Sequence, residues 1–220
     1  MRLTGRNAQV ARMEETGLVA VIRADSPDQL VDVCSALLDG GVDVAEITMT
    51  TPGALDAIHK ASEKLGDDCL IGVGSVLDAE TGRAALLAGA KYIVAPTLNL
   101  SVIEMAHRYD APIVPGALTP TEIITAWQAG ADLVKVFPAN HFGPKYFKDV
   151  LAPMPQLKLT PTGGVDLSTA ADWLKAGAAC LGVGSALVKK DLIKSGDWAA
   201  LTALAKEFCT IVKQTRENMS

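Results

Sequence analysis

Short apolar runs rich in Val, Ile and Leu alternate along the chain with longer segments of helical spacing. The runs cover residues 18–23 (LVAVIR), 44–48 (VAEIT), 70–76 (LIGVGSV), 92–96 (YIVAP), 112–117 (PIVPGA), 133–139 (LVKVFPA), 158–164 (KLTPTGG) and 180–187 (CLGVGSAL). Their lengths and β-branched content predict eight strands. The segments between them, such as SPDQLVDVCSALLDGG and LSVIEMAHRYD, place apolar residues three and four apart, as an amphipathic helix requires. Several open on a residue suited to capping: Ser26-Pro27, Thr51-Pro52, Asp78 and Thr119-Pro120-Thr121-Glu122. One more helix is expected before the first strand, in the charged stretch MRLTGRNAQVARMEETG, and a last one over 198–217.

A weak internal repeat organises these elements. A helix end followed by a strand start recurs as LLDGGVDVAEI, LLAGAKYIVA, WQAGADLVKV and LKAGAACLGV, with glycines at Gly41, Gly89, Gly130 and Gly177. Glycine suits the left-handed residue that ends a helix. Successive copies lie about two βα units apart, before the second, fourth, sixth and eighth runs. This doubling predicts an α/β fold, a (β/α)8 TIM barrel with an extra N-terminal helix covering its bottom, as one domain over residues 1–220. The alternative is an open doubly wound sheet, which would usually carry GxGxxG after its first strand. Here that turn is ADSPDQ, and no Gly/Pro/Ser linker divides the chain.

Composition agrees with a covered parallel sheet. Hydrophobic residues make up 49% of the 220 and aromatic residues only 5%, so the core is built from Val, Ile, Leu and Ala. The net charge is -5 and no Lys/Arg-rich run occurs, which argues against a nucleic-acid partner. No apolar stretch reaches the length of about 20 residues needed to span a bilayer. No secretory leader is recognised, so no membrane partner is expected and the expected location is cytoplasmic. Cys34, Cys69, Cys180 and Cys209 have no metal-type spacing and are expected to be buried thiols. His59, His107 and His141 are equally isolated, and no metal site is expected.

Barrel enzymes place their chemistry at the C-terminal ends of the strands. Two charged residues fall inside apolar runs there, Lys135 in LVKVF and Glu46 in VAEIT. Desolvation disfavours an ammonium, and a neutral amine is the nucleophile that forms a Schiff base. A buried carboxylate is a plausible proton shuttle. The second and sixth strands lie across a barrel, so Glu46 and Lys135 can point at one another; a space-filling ion pair is the plainer reading. The strand ends PTGG and GVGSAL each finish in small residues with a helix expected to follow, an arrangement that can hold a phosphate. Gly163, Gly164, Gly184 and Ser185 are the candidates, although glycines also serve simply to make tight turns. Ser75 in GVGSV can hydrogen-bond a substrate oxygen or cap the next helix.

Taken together, EITMTT (46–51), GVGSV (72–76), APTL (95–98), VPGALTPTE (114–122), KVFPA (135–139), PTGG (161–164) and GVGSAL (182–187) resemble the 2-keto-3-deoxy-6-phosphogluconate (KDPG) / 2-keto-4-hydroxyglutarate (KHG) aldolase family. The motifs occur in the family's order and cover nearly every strand end. The resemblance implies a lyase of the class I (Schiff-base) aldolase type. Such an enzyme cleaves a 2-keto-3-deoxy-6-phospho sugar acid to pyruvate and glyceraldehyde 3-phosphate, and can act on 4-hydroxy-2-oxoglutarate to give pyruvate and glyoxylate. It implies Lys135 as the Schiff-base residue and Glu46 as general acid/base. Ser75, Pro96 and Thr162 would contact the substrate, and Gly163, Gly164, Gly184 and Ser185 its phosphate. It further implies no cofactor, phosphorylated keto acid and pyruvate as small-molecule partners, and a homotrimer. Two positions depart from the family pattern: Ser75 falls where the family usually has a threonine that contacts the pyruvyl group, and Thr50 stands where the family often has an arginine for the pyruvyl carboxylate, a contact for which Arg23 is the candidate. The alternatives are 2-keto-3-deoxy-6-phosphogalactonate aldolase, a phosphosugar isomerase or epimerase using Glu46 as base, and a barrel that only binds a phosphorylated metabolite.

Overall fold

The computed structural model describes residues 5–24 and 29–219 of the chain. Among them, helices and short strands alternate. The strands are β1 (Leu18–Ile22), β2 (Val44–Thr48), β3 (Leu70–Gly74), β4 (Ile93–Val94), β5 (Ile113–Val114), β6 (Gly116–Ala117), β7 (Val134–Val136), β8 (Leu159–Pro161) and β9 (Leu181–Val183). The helices are α1 (Gly5–Thr16), α2 (Leu30–Asp39), α3 (Ala54–Leu65), α4 (Ala79–Leu87), α5 (Leu100–Arg108), α6 (Pro120–Gln128), α7 (Gly143–Leu151), α8 (Ala170–Lys175), α9 (Lys190–Ser195) and α10 (Trp198–Glu217).

All strand pairs are parallel, in the orders β5-β4-β3-β2-β1-β9 and β6-β7-β8. The result is an α/β fold with a curled parallel sheet. The fifth run was expected as one strand and forms two, because Pro115 between them has no N–H to donate to a ladder. Its carbonyl still accepts the Lys135 N–H at 2.9 Å. On the other side, isolated parallel bridges Leu159↔Ala178 and Thr162↔Gly182 tie β8 to the segment of β9.

Every residue of β1, β2 and β3 is buried, as a parallel sheet covered on both faces demands. Alternate residues feed two cores. Leu18, Ala20 and Ile22 of β1 pack outward against the helices. Val19 points into the curl, with Val44, Leu70, Tyr92, Val94, Val114, Leu133 and Cys180. Val10 and Met13 of α1 join this inner cluster. Helix α1 is also held by ion pairs, Arg6 to Asp132 and Arg12 to Asp43, both at 2.7 Å. Gly41, Gly89, Gly130 and Gly177 have φ of 92°, 113°, 92° and 99°, the left-handed conformation expected of residues that follow a helix.

The capping expectations divide. Asp78 accepts from the Thr81 N–H at 2.7 Å, and Thr119 with Glu122 forms a full capping box on α6. Thr51 caps nothing: α3 begins after Gly53 at φ 66°, and Thr51 is buried with its hydroxyl 3.4 Å from the Ala24 N–H. The Ser26-Pro27 expectation lies outside the described residues. No helix among the described residues is long and apolar enough to cross a membrane.

Candidate active site

Lys135 sits in the middle of β7 and Glu46 in the middle of β2. Their alternation turns both side chains into the curl, where Lys135 Nζ lies 3.9 Å from Glu46 Oε1. The side chains are 5% and 3% exposed. At that separation the two groups attract without a short hydrogen bond. Glu46 Oε1 has no hydrogen-bond partner among the described residues. Lys135 Nζ also stands 5.3 Å from the centre of the Phe137 ring.

Glycine makes the room for these groups. A Cβ on Gly74 would collide with the Glu46 carboxylate, one on Gly72 with the Tyr92 ring, and one on Gly182 with Thr162 Oγ1. Strand β3 therefore presents bare backbone where its neighbours place a carboxylate and a phenol. The Tyr92 hydroxyl has no partner among the described residues, and burial pushes it well above the ordinary tyrosine range, with the nearby Glu46 adding to the shift.

A cavity of about 490 Å³ opens beside the pair. Of the sequence candidates, Arg23, Thr162, Gly163, Gly164, Gly184 and Ser185 line it. Thr162 and Gly182 line both this cavity and a small interior space that Lys135 and Glu46 also border, so the buried pair adjoins the open cavity. Gly163 and Gly164 have φ of 93° and 74°, a conformation that L side chains rarely adopt. The helices expected after the glycine turns are shorter and later than anticipated. Gly184 is followed by a single turn, with its carbonyl accepting from Leu187 and Val188 N–H, and α9 starts only at Lys190. After Gly164, an Asp166-centred turn intervenes before α8.

The remaining candidates stand apart from that lining. Ser75, at φ 59°, is half-buried at the end of β3, and Asp78 occupies the helix cap, which removes capping as the role of Ser75. Thr50 is exposed, its hydroxyl 2.9 Å from that of Thr48. Pro96 closes β4, and its carbonyl fills the space that a Gly116 side chain would take. The histidines sit elsewhere: His107 Nε2 is 3.0 Å from the Gly130 carbonyl, while His59 and His141 are exposed. Cys34, Cys69 and Cys180 are buried and Cys209 half-buried. Burial pushes the Cys180 thiol up to about 11 and that of Cys69 to about 12.

A family model described as KDPG and KHG aldolase matches residues 10–204. The chain belongs to the KDPG and KHG aldolase family. It is similar to 2-dehydro-3-deoxy-6-phosphogalactonate aldolase of Escherichia coli (strain K12), 35% identical over 201 residues that span 91% of this chain and 95% of the relative. It is also similar to 2-dehydro-3-deoxy-phosphogluconate aldolase of Haemophilus influenzae, 35% identical over 205 residues, 93% of this chain and 96% of the relative. Among solved structures, the KDPG aldolase of Legionella pneumophila, with pyruvate captured as a covalent carbinolamine, superposes with a TM-score of 0.84 at 27% identity, covering 92% of this chain and 97% of that one. Members of this aldolase family are lyases.

In this aldolase the charged lining residues Asp166 and Lys190, and the aromatic Phe137, were not among the sequence candidates. Phe137 lay inside a quoted motif, KVFPA, but its apolar character gave no reason to separate it from the core. Asp166 and Lys190 lie beyond strand ends, where sequence alone shows only a charge in a loop.

Proposed function

We propose that this chain is a class I aldolase on a complete (β/α)8 barrel, with α1 covering the N-terminal end, that cleaves a phosphorylated 2-keto-3-deoxy sugar acid. The observation that carries the reading is the Lys135–Glu46 pair, buried at 3.9 Å and adjoining a cavity lined by glycine turns. The covalent carbinolamine of the Legionella relative supports the same first step here.

Neutral Lys135 attacks the C2 ketone, and the carbinolamine loses water to an iminium. Glu46 takes the C4 hydroxyl proton, through a bridging water where needed, as the C3–C4 bond breaks. The bonding pair flows into the iminium, which becomes an enamine while the aldehyde leaves as glyceraldehyde 3-phosphate. Protonation of the enamine and hydrolysis release pyruvate and regenerate Lys135. The same steps on 4-hydroxy-2-oxoglutarate give pyruvate and glyoxylate. Ser75, Thr50 and Pro96 border the pyruvyl end, and Arg23 supplies the positive charge for its carboxylate that Thr50 cannot. Thr162 faces the reacting carbons. Gly163, Gly164, Gly184 and Ser185 hold the phosphate, so that binding energy far from the bond being broken orients the substrate.

The E. coli relative's name favours the phosphogalactonate epimer as a second reading, and assaying both epimers side by side separates the two. We also propose one domain over residues 1–220 and a cytoplasmic location, as the undivided composition and the sequence pattern suggest, and a homotrimer, as the family resemblance implies. An assay for released pyruvate tests the reaction. Wild type is expected to turn over at least one phosphorylated epimer, Lys135→Ala to show no turnover, and Glu46→Gln to lose about 10²–10⁴ in kcat. Full activity in Lys135→Ala would remove the Schiff-base mechanism.

A further inference from the structure

Inside the curl, Glu46 Oε1 and the Tyr92 hydroxyl are both buried without a hydrogen-bond partner among the described residues. The two side chains meet the same strand. Gly72 and Gly74 of β3 are two positions apart and so share one face, with side-chain positions about 7 Å apart. A Cβ on Gly72 would collide with Cζ and Cε1 of Tyr92, and one on Gly74 with Glu46 Oε1. The ladders agree: Glu46 pairs with Gly72, and the Val73↔Ile93 pair sets Gly72 beside Tyr92. The phenol end of the ring and the carboxylate thus occupy adjoining places on β3, a spacing that the hydroxyl and one bridging water cover.

A buried donor or acceptor left unpaired is costly, and each of these two groups can satisfy the other. Tyr92 can only be the donor. Burial raises its phenol well above the ordinary range, and nearby Glu46, then the thiols of Cys69, Cys180 and Cys34, add to the rise, so it keeps its proton. Those thiols stay neutral as well: burial pushes Cys180 up to about 11, Cys69 up to about 12, and Cys34 upward too. From across the curl, Lys135 is the charged group that faces Glu46.

We propose that Tyr92 is a positioning residue: its hydroxyl donates a hydrogen bond to the Glu46 carboxylate, directly or through one water, and holds that carboxylate ionised and oriented for proton transfer. The inference rests on the acid/base reading of Glu46 given under Proposed function and goes beyond it, since it names what keeps a carboxylate charged in an apolar core. Desolvation favours the protonated acid, and a donor to the carboxylate opposes it. Glu46 must be ionised to take the C4 hydroxyl proton, so removing the donor costs activity first on the acid side.

The test is the pH profile of Tyr92→Phe, which removes the hydroxyl and keeps the ring over Gly72. The acid limb of its kcat profile is expected to move up by about one pH unit, with KM changed less than kcat. Pyruvate and borohydride should still label Lys135 in this variant. In a Glu46→Gln background, Tyr92→Phe should bring no further loss in kcat, because the two groups act as one unit. An acid limb that stays in place in Tyr92→Phe, or an equal fractional loss with and without the Glu46 carboxylate, overturns the assignment and leaves the phenol as packing alone. A wild-type profile with no acid limb, or a fully active Glu46→Gln, instead removes the acid/base reading of Glu46, and the Tyr92 proposal with it.

Discussion

Lys135 and Glu46 owe their positions to residues that do no chemistry. Glu46 stands opposite Gly72 in the β2–β3 ladder, and its carboxylate occupies the space a side chain on Gly74 would need. Gly74→Ala should therefore push the carboxylate away from Lys135 Nζ while the protein still folds, since Gly74 does not have the positive φ that only glycine tolerates. We expect a loss of about a hundredfold in kcat, the scale of an ångström-sized misplacement, with the melting temperature lowered modestly. A fully active Gly74→Ala would show that the carboxylate does not depend on this clearance. Both charged residues were legible in the sequence because a Lys or Glu inside an apolar run is costly unless it has a use. Gly74 was not legible in this role. GVGSV announces a glycine turn, but which neighbour fills the space depends on the register between strands, and that appears only in three dimensions.

Helix ends show the same division between local and non-local information. The Thr119–Glu122 capping box was readable because all its atoms lie within four residues. Thr119→Ala should cost about 1 kcal/mol, read as a lower denaturation midpoint. Hydrogen bonds from the Thr119 N–H, then the Leu118 N–H, hold Glu122 below the usual carboxylate range. The lowered value belongs to the folded state, so the unfolded chain binds the proton more tightly. The contribution is present above the ordinary glutamate range and is lost as pH falls through the lowered value. The Thr119→Ala penalty should accordingly shrink in acid, and a penalty that grows there would contradict the assigned bonds. Thr51, by contrast, looked like a cap and is buried. Its Oγ1 faces the Ala24 N–H, 27 positions earlier in the chain, a contact no local pattern encodes. One strand end was overestimated for a related reason: apolar character continues into the turn, as at Leu187, after the ladder bonds have stopped.

At the scale of the molecule, the doubled βα repeat conveyed the fold class because each glycine-ended helix returns the chain to the start of another parallel strand. It did not reveal how the ends of the curl are filled. Met13 of α1, 1% exposed, packs with Val19, Val44 and Tyr92 inside the sheet. Met13→Ala should cost about 2–5 kcal/mol in denaturant unfolding, the range for truncating a fully buried large side chain. A cost near zero would mean that α1 is only loosely seated.

The central claim is that Lys135 becomes covalently bonded to a 2-keto acid. Incubating the protein with pyruvate and borohydride, then locating the added mass by peptide mapping, tests it most directly. The account predicts one reduced adduct per chain on Lys135, retained in Glu46→Gln and absent in Lys135→Ala. No adduct in the wild type, or an adduct on another lysine that persists in Lys135→Ala, would contradict it.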